Sequence, residues 1–302
     1  MSTGTETSFL PSLFPEDSGV TEASPYRVED RYAEIRGADV HYRVWEPKVR
    51  TSEESTLIVP GYLGLIEFYE DLAASLAMHG EQVIGFKPVS TQHLPLKEQW
   101  NALNHPHQLL AETAIGIIKT ERLEEPDLAF KGIGYSMGGI SAVEAAVDFP
   151  EAFKNLILLA SAGLEAGLHT AKLALRIPGV LKELNDHNIP HSPELMVSLG
   201  RYAMNPRRQL EGWKTSNSYM VPTVRKLKKV MDVGILHAED DPFYPKEFSA
   251  HLRCESGVIE KAGHLAPTTH PEATAIAIRA LWRRFSMAKD RYLSATDTIA
   301  FS

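Results

Sequence analysis

Gly134–Tyr135–Ser136–Met137–Gly138–Gly139 places a serine between glycines where an apolar run, LAFKGI, meets a helical run, ISAVEAAV. That is the context of a nucleophile elbow, a strand-to-helix turn so tight that its central residue takes a strained backbone and lifts its side chain clear of the sheet edge. Bulky residues two positions either side would clash, and Gly134 and Gly138 remove the clash. The following helix aims its N-terminus at the serine, so its dipole and the Met137 N–H favour negative charge there. The context, more than the five-residue pattern, separates Ser136 from an incidental serine in a glycine-rich turn. The chemistry to expect is attack of the Ser136 hydroxyl on a carbonyl.

A serine hydroxyl needs a base, and the base needs an orienting acid, here in the chain order Ser, Asp, His. Of twelve histidines, His264 follows Gly263 just past the run GVIEKA, at a strand's C-terminal edge, where a base can reach Ser136. His237 lies inside the apolar run VGILHA, as a core or edge residue would. His270 opens a helix in Thr268–Thr269–His270–Pro271, and His105 and His107 also stand at a helix start. His41, His79, His93 and His251 precede or leave the relevant edge, and His169, His187 and His191 fall in a helical insertion. For the acid, Glu239–Asp240–Asp241 follows the strand VGIL. Asp241 is favoured over Asp240, and more strongly over Glu239, because Pro242 fixes the loop after it. Its carboxylate would accept the second imidazole N–H and stabilise the imidazolium.

A fourth segment, Pro60–Gly61–Tyr62–Leu63–Gly64, follows the apolar run TLIV. Its glycines let backbone N–H groups approach a substrate closely. The Tyr62 N–H would pair with the Met137 N–H as an oxyanion hole. Tyr62, Leu63, Tyr135 and Leu265, which adjoin these segments, are the residues expected to touch the substrate.

The elements that must position these residues alternate. Tyr32 to Trp45 reads as two short strands with Gly37 and Ala38 at the turn. Apolar runs at Thr56–Val59, Gln82–Phe86, Leu128–Ile133, Asn155–Ala160, Val233–Ala238 and Gly257–Lys261 read as strands. Helical runs lie between them: Phe68 to Met78, Pro106 to Leu123, Gly138 to Phe149, Pro245 to Arg253 and Pro271 to Phe285. Strands that are apolar throughout and alternate with helices predict a mostly parallel sheet covered on both faces. Residues 164–228 break the alternation with helical stretches alone and read as an all-helical insertion. The division expected is a mobile arm at 1–25, a core at 26–163 and 229–288, a cap at 164–228 and a tail at 289–302.

The chain's 302 residues suffice for one α/β domain carrying such an insertion. A formal charge of −8 gives no support to nucleic-acid binding, and the basic cluster Arg225, Lys226, Lys228 and Lys229 fits a solvated helix face. The single cysteine, Cys254, excludes an internal disulfide and reads as a packing residue. The first ten residues lack the charge and apolar run of a signal peptide, and no run approaches the roughly 20 apolar residues that cross a bilayer. The expectation is a cytoplasmic protein without a membrane partner. No phosphate loop or dinucleotide fingerprint occurs, and His187 and His191 are separated by Pro190, so neither cofactor nor metal is expected.

In the order and spacing of P-G-Y-L-G, G-Y-S-M-G-G, A-E-D-D-P-F-Y-P and A-G-H-L, the chain resembles the α/β-hydrolase superfamily over roughly residues 30–285, in the branch with a helical cap. The resemblance implies a predominantly eight-stranded sheet with Ser136 as nucleophile, His264 as general base, Asp241 as acid and Tyr62 and Met137 as oxyanion donors. Pro60 stands where the family usually has histidine, and Ala238 where the acid loop usually opens with glycine. Epoxide hydrolases and haloalkane dehalogenases carry aspartate at the elbow and dienelactone hydrolases cysteine, so Ser136 argues against all three. Hydrolysis of a small-molecule ester or thioester is the expected reaction. A carbon–carbon bond hydrolase of ring-fission products, an acyltransferase or perhydrolase, and a non-catalytic ligand receptor remain as alternatives. The apolar residues of the insertion, among them Leu173, Met196 and Trp213, suit either a hydrophobic acyl pocket or plain packing of cap on core.

Overall fold

The computed structural model describes residues 24–61, 66–89, 94–165, 182–183, 186–187 and 218–299. The strands are β1 (Tyr26–Ile35), β2 (Ala38–Pro47), β3 (Ser55–Val59), β4 (Gln82–Phe86), β5 (Phe130–Tyr135), β6 (Phe153–Leu159), β7 (Asp232–Ala238) and β8 (Glu255–Ile259). The helices are α1 (Glu70–Met78), α2 (Leu96–Asn104), α3 (Pro106–Glu124), α4 (Gly138–Asp148), α5 (Val221–Leu227), α6 (Ala266–Thr269) and α7 (Pro271–Ile299). The strands form one eight-stranded sheet in the order β1-β2-β4-β3-β5-β6-β7-β8. It is mostly parallel: β2 is antiparallel to both β1 and β4, and every other neighbouring pair is parallel.

The apolar strands follow from burial on two sides. On β6, Leu156 and Leu158 join the core beneath one face, whereas Ile157 and Leu159 join the core beneath the other. Ile117 of α3, Ile140 and Val143 of α4 and Val224 of α5 pack into the first core. Leu72 and Leu76 of α1 and Ile278 and Leu281 of α7 pack into the second. Each buried Leu or Ile contributes about 1.5–3 kcal/mol over an exposed one.

The order has one functional consequence. The chain passes from β3 outward to β4, then returns to lay β5 against the other side of β3. Connections leaving β3 and β5 therefore diverge, opening a crevice past the C-terminal ends of those two strands. Gly61 and Ser136 lie just beyond those two ends.

Several elements differ from the sequence expectation. The first two strands run ten residues each and are joined through Arg36 and Gly37, not Gly37 and Ala38. Both turn residues have positive φ, 55° and 72°, the backbone of a two-residue hairpin turn that matches strand twist. Helix α2 carries only a sparse apolar pattern in LKEQWNALN and was not expected. Lys246–Leu252 forms a 3-10 helix in place of the expected α-helix, with Ser249 Oγ donating back to Lys246 O at 3.2 Å. Helix α7 continues to Ile299, through residues read as a tail.

Most of the expected cap, and residues 1–23 of the expected arm, lie outside the described residues. The two ends of the insertion are described. The Met220 N–H donates to Gly163 O at 3.0 Å, so departing and returning chain meet there. Helix α5, although inside the stretch read as cap, buries Val221, Val224 and Leu227 in the core. Its opposite face exposes Arg225 and Lys226, and Lys229 just past its end is exposed, whereas Lys228 Nζ donates to the carbonyls of Leu252 and Arg253 at 2.9 and 2.6 Å. Cys254 is half-buried against the core, and burial pushes its thiol up.

Candidate active site

Ser136 follows the last residue of β5 with φ 54°, a left-handed backbone that costs a non-glycine residue about 1–3 kcal/mol. Three hydrogen bonds hold it. Ser136 N–H donates to Leu159 O at 3.0 Å, and Ser136 O accepts from Gly139 N–H at 3.1 Å and Ala162 N–H at 3.0 Å. The flanking glycines are required by closeness. A Cβ on Gly134 would meet Gly139 Cα at 2.6 Å and Ala142 Cβ at 2.8 Å, and one on Gly138 would fall onto the carbonyl oxygens of Val59 and Pro60. The start of α4 is thus pressed against the end of β3, which brings Gly61 beside Ser136. The Met137 N–H sits at the N-cap of α4, where helix geometry supplies no intrahelical acceptor.

Ser136 Oγ lies 2.9 Å from His264 Nε2, and His264 Nδ1 lies 3.0 Å from Asp241 Oδ2. The other Asp241 oxygen accepts from the N–H groups of Phe243 and Tyr244, at 2.7 and 3.2 Å. The Asp241 side chain is fully buried, and its carboxylate is held at three points, two in its own loop and one on the imidazole ring. The neighbouring carboxylates are exposed and do other work: Glu239 Oε2 accepts from Lys261 N–H at 2.8 Å, while Asp240 N–H donates to Ala262 O at 2.9 Å. These bonds lace the loop after β7 to the loop after β8. The strands are parallel neighbours, so both loops emerge at one sheet edge and the acid and imidazole meet there.

Aromatic rings enclose the imidazole. Phe243 meets it edge-on at 4.8 Å, Tyr244 lies 5.5 Å away, and Tyr135 stacks at 5.6 Å. Tyr135 was expected to touch substrate. Its side chain is buried instead, and its hydroxyl donates to His264 O at 2.9 Å. Burial pushes that hydroxyl far above its usual range, which keeps it a donor. Leu265 is as buried as Ser136 and His264. Tyr62 and Leu63 lie outside the described residues.

Other described histidines have separate partners. His41 pairs with Asp30, His79 with Glu272 and His107 with Glu144. Thr269 Oγ1 meets His270 Nδ1 at 2.9 Å. No group of three or more His, Cys, Asp or Glu among the described residues could hold a metal ion, and no described helix is long and apolar enough to cross a membrane.

His237 is buried near the end of β7, with Nε2 2.7 Å from Ser249 Oγ. Burial holds its imidazole below the usual histidine range, aided by Lys246 and opposed by Asp241 and Glu247. The unfolded chain binds the proton at the ordinary value, so between that value and the lower folded one it carries more protons than the native state. Stability therefore rises with pH across this window and is lost as pH falls through it. Melting temperatures measured from pH 8 to pH 5 are expected to fall on the acid side, and less steeply in His237→Gln. Parallel acid limbs would refute the assignment.

No family model matches the sequence, and no curated protein matches it either. Solved structures do. The fold is similar to a bromoperoxidase from Bacillus anthracis, with a TM-score of 0.60 and 14% identity over 84% of this chain and 100% of that one. A meta-cleavage product hydrolase from Pseudomonas fluorescens IP01 gives a TM-score of 0.56 at 15% identity, over 84% of this chain and 97% of its own. An esterase from Exiguobacterium antarcticum gives 0.59 at 14%, over 83% and 98%. The chain has the α/β-hydrolase fold.

Proposed function

We propose that the protein is a serine hydrolase that cleaves a carboxylic ester or thioester of a small molecule through an acyl-serine intermediate. The observation that carries this reading is the unbroken hydrogen-bonded line from Asp241 through His264 to Ser136, ending on a serine at positive φ. In this reading His264 Nε2 takes the Ser136 proton as Oγ attacks the carbonyl carbon, and Asp241 stabilises the imidazolium. The oxyanion accepts from the Met137 N–H and the Tyr62 N–H. The imidazolium returns its proton to the departing alkoxide or thiolate. A water deprotonated by His264 then releases the acid and restores Ser136. A cytoplasmic setting fits the single thiol.

A second reading, hydrolysis of a carbon–carbon bond in a ring-fission product, is favoured by the Ser136–Met137–Gly138–Gly139 elbow and by the likeness to a meta-cleavage product hydrolase. A panel of p-nitrophenyl esters of graded chain length, run beside one ring-fission product, separates the two. Turnover of esters with an optimum in chain length is expected. Turnover of the ring-fission product alone would favour the second reading, and turnover of none would overturn both.

A further inference from the structure

Glu183 comes from the insertion, yet its carboxylate lies against the loop that carries His264. Oε1 accepts from the Leu265 N–H at 3.0 Å and from Thr269 Oγ1 at 3.3 Å. Gly263 records the same approach. Its φ lies outside the left-handed region, so its backbone conformation does not call for glycine. A Cβ there would fall onto the Glu183 carboxylate, which supplies all three of the nearest atoms. Burial pushes the Glu183 carboxyl up, while the Leu265 N–H, His264 and the Thr269 hydroxyl draw it down and Asp241 adds to the rise. Burial wins, so the carboxyl is held above its usual range.

The bonded groups belong to a single peptide unit. The carbonyl of His264 accepts from Tyr135 Oη at 2.9 Å, and the N–H of that same His264–Leu265 peptide donates to Glu183. One clamp rises from β5 in the core and the other descends from the insertion. A peptide plane held at both ends fixes ψ of His264, and with it the direction in which the imidazole leaves the chain.

We propose that Glu183 is a positioning residue for His264, a carboxylate delivered by the insertion that fastens the histidine's own peptide and holds the ring in line with Ser136. The inference rests on the serine-hydrolase reading above. A displacement on the order of 1 Å at a reacting group costs roughly a hundredfold in rate.

The test uses the full chain, a fluorophosphonate probe for the rate of Ser136 labelling, and p-nitrophenyl acetate for kcat and KM. Glu183→Ala is expected to lower both the labelling rate and kcat by about tenfold to a hundredfold, with KM changed by less than about twofold. Glu183→Gln keeps an oxygen acceptor for the Leu265 N–H and is expected to recover most of the loss. Gly263→Ala should displace the carboxylate, reproduce the defect, and add nothing further in a Glu183→Ala background. If Glu183→Ala does not melt cooperatively, Gly263→Ala and Glu183→Gln carry the comparison. A labelled wild type with unaltered Glu183→Ala, a Gln variant no better than Ala, or a loss confined to KM would overturn the inference alone. An unlabelled wild type would overturn the serine-hydrolase reading, and this inference with it.

Discussion

Ser136→Ala is expected to lose labelling by fluorophosphonates and to lower kcat on nitrophenyl esters by on the order of 10⁵–10⁶. The magnitude follows from the chemistry. Without Oγ there is no acyl intermediate, and His264 can only direct water at a substrate held for a different attack. The fold should survive. Ser136 is held through its backbone by Leu159, Gly139 and Ala162, and alanine keeps those bonds at the same φ. A melting temperature within a few degrees of wild type, measured beside the rates, separates a chemical defect from unfolding. A variant that still hydrolyses esters at the wild-type rate would remove Ser136 from the mechanism.

The second large effect discriminates between adjacent residues of equal charge. Asp241→Asn is expected to lower kcat about 10⁴-fold, because an amide presents an N–H where the imidazole needs an acceptor and so favours the wrong tautomer. The Phe243 and Tyr244 N–H groups hold the amide oxygen on their side, which leaves the NH2 group facing the imidazole. Asp240→Asn should leave kcat within about twofold, since an exposed carboxylate is screened by water and Asp240 contributes to the loop through its backbone N–H. Steady-state kinetics on the pair decide the matter. A larger loss at Asp240 would transfer the acid to that position.

The pattern of what could be read follows from where the information lies in the chain. The elbow was legible because its needs are local: two close backbones demand glycines two residues either side of Ser136. His264 and Asp241 were legible because each stands just after an apolar strand, and parallel neighbours send their following loops to one edge. The burial of Tyr135 was legible too, because the period of β5 places it on the same face as the buried Ile133. Glu183 was missed altogether. Its partner, Leu265, lies 82 residues away, and the residues around Glu183 show no periodicity that would mark it as facing the core. Gly263 was the available signal. A glycine beside a candidate catalytic histidine, with no turn that requires it, points to something approaching the chain there. The extent of helix α7 was hidden for a different reason. Ser286, Met287 and Ala288, just past the buried Phe285, are exposed, and MAKDRYLSA is rich in good helix formers without an apolar stripe to announce it.

The hydrogen bond from Met220 to Gly163 gives the chain a modular heredity. Because departure and return are joined at one point, the sheet can carry a branch of variable length there: closing a flexible loop costs only about 0.6 kcal/mol more per doubling of its length. Substitutions, duplications or exchange within that branch can leave the elbow and the two loops in register. Glu183 marks the limit of that freedom: a transplanted branch would inherit the crevice but would need its own acceptor for the Leu265 N–H. Among the described residues of the branch, His187 also meets the core, its ring 5.0 Å from that of His270, so selection is constrained at both positions.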